Sequence, residues 1–126
     1  MAGIRQHATA PELEVRRVLR ELGIAYRIRN RDLPGSPDLA NRSRKWAVFV
    51  HGCFWHRHKG CYRTTTPTRN RKLWEEKFAA NIARDAAGAS ELRKRGFLVV
   101  AVWECETRNG ERLQRKLSSR LQDKND

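Results

Sequence analysis

Apolar positions along this chain recur in two rhythms. Leu13, Val15, Val18, Leu19 and Leu22 recur near the helical period. Thr9 stands where an N-cap belongs, with Glu12 at capping-box spacing, and Gly23 closes the segment. Residues 24–29 alternate apolar and polar side chains, which predicts a strand. A charged loop over 29–32 follows, then a turn over 33–37 built on Pro34 and Pro37. The spacing predicts a hairpin-like turn over 39–44 and a buried central strand over 45–50, KWAVFV. A long helix is expected from Pro67 or Thr68 to about Arg95. Trp74, Phe78, Ile82 and Leu92 fall near one of its faces, and Gly88 is expected to bend or split it. Residues 97–103, FLVVAVW, read as a second buried strand, and 108–121 as a basic helix. The pattern implies an α/β fold, a mixed central β-sheet flanked by helices. It implies one domain over residues 1–126, with a short N-terminal arm (1–9) and a frayed tail (122–126).

Charge narrows the choice of partner. Lys and Arg number 27 against 14 acidic residues, a formal charge of +13. Such an excess points to a polyanion, most often nucleic acid. A basic protein that is merely soluble, or one associated with ribosomes, is the plainer reading. No apolar run approaches the roughly 20 residues that cross a bilayer, and the N-terminus lacks the apolar core of a signal peptide. A cytosolic chain, in the bacterial nucleoid compartment, is the expectation.

Chemistry concentrates in the stretch HGCFWHRHKGC, from His51 to Cys61, which holds three of the four histidines and two of the three cysteines. Structural zinc takes about four Cys or His ligands in a tetrahedron. Cys53, His58 and Cys61 are close enough in sequence to share one ion. Cys105, at the end of the second buried strand, would complete a Cys3His set. The alternative is three buried thiols and a surface histidine. Asp38 follows Pro37 just before the central strand, with His51 and His56 beyond its far end. A carboxylate there can hold Mg2+, a hard ion that prefers oxygen, and a histidine can activate water or protonate a leaving oxygen. Equally, Pro-Asp is often only a turn, and the histidines can be loop packing. Glu12 reads as either a helix cap or a carboxylate at the site's edge. Phe54 and Trp55 are consecutive in a polar loop, so both cannot face inward; aromatic wedges of this kind unstack DNA. Trp74 reads as a third wedge or as core.

Pro34-Gly-x-Pro-Asp38, Val48-Phe-Val-His-Gly-Cys-Phe-Trp-His56, Pro67-x-Thr-Arg69, Trp74-x-x-Lys77, Asn81-x-x-Arg-Asp85 and Val102-Trp-Glu-Cys105 closely resemble the very short patch repair (Vsr) endonucleases. The resemblance implies a zinc-containing branch of the type II restriction-endonuclease fold that nicks DNA 5′ of the thymine in a T:G mismatch. It implies Mg2+ on Asp38 and the backbone carbonyl of Val50, His56 as the water-activating base, and His51 at the scissile phosphate. By the same resemblance Asp85 orients a histidine, Glu12 lies at the active-site edge, and Cys53, His58, Cys61 and Cys105 ligate zinc. Phe54, Trp55 and Trp74 fall on the intercalating aromatics. Met1 and Ile4 are the arm's apolar side chains for the minor groove opposite them. The expected partner is duplex DNA carrying a mismatch, with mismatch-repair proteins as possible associates and the enzyme itself a monomer. Three rivals stand beside this: a non-cleaving module that binds distorted DNA, a nuclease of the same fold with another target, and an RNA-binding structural protein.

Overall fold

The computed structural model describes residues 9–62 and 64–125. Helix α1 spans Ala10–Glu21. Strands β1 (Leu39–Asn41) and β2 (Trp46–His51) follow, then helix α2 (Arg71–Lys94), strand β3 (Leu98–Trp103), a 3-10 turn (Glu104–Arg108) and helix α3 (Gly110–Asn125). The sheet order is β1-β2-β3. β1 runs antiparallel to β2, and β2 runs parallel to β3 with His51 opposite Trp103. The expected α/β architecture is therefore present as a small mixed sheet with helices.

Strand geometry sends successive side chains to opposite faces. Trp46 and Val48, with Val100 and Val102, pack against Val15, Val18 and Leu19 of α1 and Leu113, Leu117 and Leu121 of α3. Ala47, Phe49 and Val99 turn the other way, onto Leu92 of α2 and Leu33 of the preceding loop. The same parity puts His51 and Trp103 on the α2 side of the sheet, which is what makes the site. Thr9 caps α1: its Oγ1 accepts the Glu12 N–H at 3.3 Å. Leu13, placed on the apolar face by its spacing, is half exposed.

Several expectations give way to local chemistry. Residues 24–29 make only one bridge, Arg27 to Ala40. Arg29 adopts a φ of 61°, which breaks extended pairing, and the Asn41 side chain donates to the Ala25 carbonyl where a ladder bond would otherwise form. Residues 39–41 are strand rather than turn. The reversal comes after them, where the Asn41 Oδ1 accepts from Ser43 and from the Arg44 N–H. Helix α3 extends to Asn125. Met1 and Ile4 lie outside the described residues. No helix among the described residues is long and apolar enough to cross a membrane.

Gly88 does not split α2, which runs as one helix from Arg71 to Lys94. Its role is close approach. A Cβ built there would lie 2.6 Å from the Gly35 Cα, in a turn where Gly35 itself has a φ of +73°. Gly to Ala inside a helix ordinarily gains about 1 kcal/mol. Here the clash is with backbone, so Gly88→Ala is expected to destabilise the fold by roughly 1–3 kcal/mol. Urea denaturation of the variant checks the sign; a gain in stability would contradict the contact.

Candidate active site and metal centre

Asp38 sits at the start of β1, and its loop is held from within. Asn30, only 1% exposed, donates from Nδ2 to the carbonyls of Arg27 and Pro37, at 2.8 and 3.1 Å. The Asp38 Oδ2 accepts the Val50 N–H at 2.7 Å. Glu12, reaching from α1, presses a second carboxylate against it. Burial pushes the Asp38 carboxyl up to about 6; the Val50 N–H works against this, and the Glu12 charge adds to it. Glu12 thus serves neither reading alone, for Thr9 does the capping while the Glu12 side chain pairs with Arg16 and faces Asp38. Two part-buried carboxylates in contact make a fitting oxygen donor set for a hard divalent cation.

His51, His56 and Asp85 meet on the opposite side of the β2 terminus. The two imidazoles have centroids 4.1 Å apart. His56 Nε2 contacts the Asp85 Oδ2, while His56 Nδ1 lies 3.3 Å from the Gly52 carbonyl oxygen. The His56 ring is thus held at both nitrogens, by the Asp85 carboxylate and by the Gly52 carbonyl. His51 is held well below the usual histidine range, at about 4, first by burial and then by His56; Asp85 works in the other direction. His51 is accordingly a neutral imidazole at neutral pH. The trio borders an open cavity of about 330 Å³ walled by Phe49, Ile82 and Ala86.

Cys53, His58, Cys61 and Cys105 bring their ligand atoms within 4.8 Å of one another. His58 Nδ1 lies 3.6 Å from the Cys53 sulfur and 3.5 Å from that of Cys105. A tetrahedral zinc bonded at about 2.3 Å to sulfur and 2.0–2.1 Å to nitrogen spaces its ligands by roughly 3.5–3.8 Å, so the four donors fit one ion. With no cation, burial and then the neighbouring cysteines push the Cys53 thiol up to about 12. A bound divalent ion reverses that by deprotonating the thiol outright. The loop that carries them is tied internally, the Thr64 hydroxyl donating to the His58 carbonyl at 2.6 Å.

The side chains between these centres form an aromatic cluster. Phe54 lies 5.4 Å from Trp55, 5.8 Å from Trp74 and 5.1 Å from Phe78, ring centre to ring centre. Phe78 is buried and forms the floor, while Trp55 is 42% exposed. Trp74 belongs to this cluster, outside both packed cores.

Three contributors were invisible to spacing. Arg57 stacks its guanidinium 4.2 Å over Phe78 and donates to the Thr65 carbonyl and the Thr66 hydroxyl, bracing the aromatic loop. Trp103 stacks flat on His58, 4.0 Å away and 8° from parallel, and lies 5.3 Å from His51. Lys116 donates to Glu106 and to the Ala101 carbonyl, fixing the end of β3. Trp103 carried one sequence signal, its place two residues before Cys105.

Carboxylates on one side of a strand terminus, imidazoles on the other and a strongly basic surface are the parts of a phosphodiester-cleaving α/β enzyme. The comparisons with known proteins agree. The family model for DNA mismatch endonuclease Vsr matches residues 1–63. The chain is 36% identical over 124 residues to DNA mismatch endonuclease Vsr of Escherichia coli (strain K12), covering 98% of this chain and 79% of that protein. It is 42% identical over 106 residues to the type II nicking enzyme V.XorIIP of Xanthomonas oryzae pv. oryzae, covering 84% and 77%. It is 40% identical over 109 residues to the type II nicking enzyme V.NmeAIP of Neisseria meningitidis, covering 86% and 77%. The chain belongs to the Vsr DNA mismatch endonuclease family, and it is a DNA endonuclease.

The raised Asp38 carboxyl carries a stability consequence. Its folded value near 6 exceeds the ordinary 3.8. Below both values the group is protonated in both states and costs nothing. As pH rises from about 4 to 6 stability falls, and above 6 the full cost stands. At one pKa unit per 1.36 kcal/mol, Asp38→Asn is expected to stabilise the magnesium-free protein by about 1–3 kcal/mol at pH 7.5, and by nothing near pH 3.5. Thermal melts of both proteins at the two pH values measure the difference.

Proposed function

We propose that this protein is a Mg2+-dependent, zinc-stapled endonuclease of the type II restriction-endonuclease fold that nicks duplex DNA 5′ of the thymine in a T:G mismatch. It would act as one domain and as a monomer, in the cytosol on the chromosome, alongside mismatch-repair proteins. The observation that carries the reading is convergence. The Asp38–Glu12 carboxylates and the His51–His56–Asp85 trio flank one strand end, and the aromatic cluster begins three residues beyond it. The likeness to a protein named for mismatch cleavage, over nearly the whole chain, supports the target.

Basic residues neutralise phosphates along the duplex. Phe54, Trp55 and Trp74 enter the stack at the mismatched step, which is cheaper to open than a paired one. Asp38 and the Val50 carbonyl would hold Mg2+, with Glu12 beside them; the ion supplies charge neutralisation at the phosphate and a more acidic water. His56, positioned by Asp85 and the Gly52 carbonyl, would take the proton of the attacking water as the P–O3′ bond breaks, and the leaving 3′ oxygen would take its proton from a water in the site. His51, neutral and bordering the cavity, donates a hydrogen bond to a phosphate oxygen. Cys53, His58, Cys61 and Cys105 would hold Zn2+, which joins the loop after β2 to the end of β3.

A second reading rests on the relatives named only as nicking enzymes, whose names specify no mismatch. A nuclease of the same fold with another target fits them as well. End-labelled duplexes that differ only in T:G versus C:G separate the two. The expected result is a nick 5′ of the mismatched thymine. Asp38→Ala should reduce single-turnover cleavage by at least about 10³-fold, since the cation's contribution is worth several kcal/mol. Equal cutting of both duplexes would support the second reading, and tight T:G binding without a nick would support a binding module.

The zinc assignment has its own measurement. The protein as isolated should contain one zinc per chain. Cys105→Ser should lose most of it together with several kcal/mol of stability, because structural zinc of this kind contributes roughly 10–16 kcal/mol. Metal analysis of the purified variant decides; full zinc content would remove Cys105 from the ligand set.

A further inference from the structure

We propose that His51, His56 and Asp85 form a second metal site, selective for borderline transition ions such as Zn2+, Co2+ or Ni2+, whose occupancy blocks the catalytic histidines. The inference goes beyond the mismatch reading and rests on the geometry of the trio. One nitrogen from each imidazole and one carboxylate oxygen lie within 4.8 Å of one another. A borderline ion bonding at about 2.0–2.2 Å needs donors roughly 3–3.5 Å apart, so modest ring rotation closes the set. All three side chains are half-buried, and the cavity at whose edge they stand is open enough to admit a hydrated ion.

The surroundings of His56 are those of a metal ligand. Ligating histidines donate their other ring N–H to a backbone carbonyl or carboxylate, which fixes the tautomer. His56 does so from Nδ1 to the Gly52 carbonyl. Nε2 faces the Asp85 carboxylate, so the second ligand atom and the carboxylate already converge. A divalent ion bound by both replaces that hydrogen bond, the pair opening to ligand spacing and any proton held there leaving to solvent. Among the described residues no hydrogen bond engages the His51 ring, so its nitrogen is open to complete the set. Two nitrogens and one oxygen favour a borderline ion over Mg2+, which prefers oxygen and keeps its waters. This donor set also differs from the Cys3His cluster, which the softer thiolates define.

The test is a cobalt titration of protein already carrying one zinc, without DNA and without an activity readout, so its outcome is independent of which DNA the enzyme cuts. One Co2+ should bind per chain with visible d–d absorption and no thiolate-to-cobalt charge transfer. His51→Ala and Asp85→Asn should each weaken binding at least about tenfold, and Asp38→Ala should leave it unchanged. Circular dichroism establishes that each variant is folded, and either one alone is sufficient. Absence of a cobalt equivalent overturns the proposal. So does charge-transfer absorption, which reports exchange into the thiolate site, or binding that only Asp38→Ala removes.

Discussion

The parallel pairing of β2 with β3 is the constraint on which everything else depends. Setting His51 opposite Trp103 fixes where both chains leave the sheet. One continues into Cys53, Phe54 and His56, the other into Cys105. Residues far apart in sequence then become neighbours without any long-range contact having to select them. The short β1, antiparallel on the other side, brings Asp38 to the Val50 N–H by the same logic. A one-residue slip of β2 would turn His51 away from α2 and drive Phe49 into the α1 and α3 side, so the packed cores also guard the chemistry.

Electrostatically, the site is arranged against its own ease. Asp38 and Glu12 are like charges in contact, His51 is desolvated, and His56 faces the Asp85 carboxylate. The buried Asp38 carboxylate beside Glu12 costs stability at neutral pH, and a positive charge arriving there would relieve it. The fold offsets the cost with two apolar cores and with ties such as Asn30 and Lys116.

Helix α1 was legible from its helical period, and both long strands from their unbroken apolar runs. The Cys53, His58, Cys61 and Cys105 cluster was legible because cysteine and histidine are scarce and crowd together. What stayed hidden has physical causes. Residues 24–29 have a strand's alternation, but a left-handed Arg29 and a competing Asn41 side chain outweigh it. Gly88 reads as a helix weakness until Gly35 is seen against it. Arg57 and Trp103 act through ring contacts between segments distant in sequence, and no one-dimensional pattern records those. Asp38 stood out only as a weak Pro-Asp pair; its partner Glu12 lies on another element altogether.

Trp103 is shared property. One face lies on His58 of the Cys/His cluster, and the ring also touches His51 at the end of β2. A smaller ring there would loosen His58 and His51 together. Mutational tolerance in the two regions is therefore linked: a substitution that improves one is tested at once by the other. The metal loop and the histidine pair have to vary as a single unit, with an indole as the hinge between them.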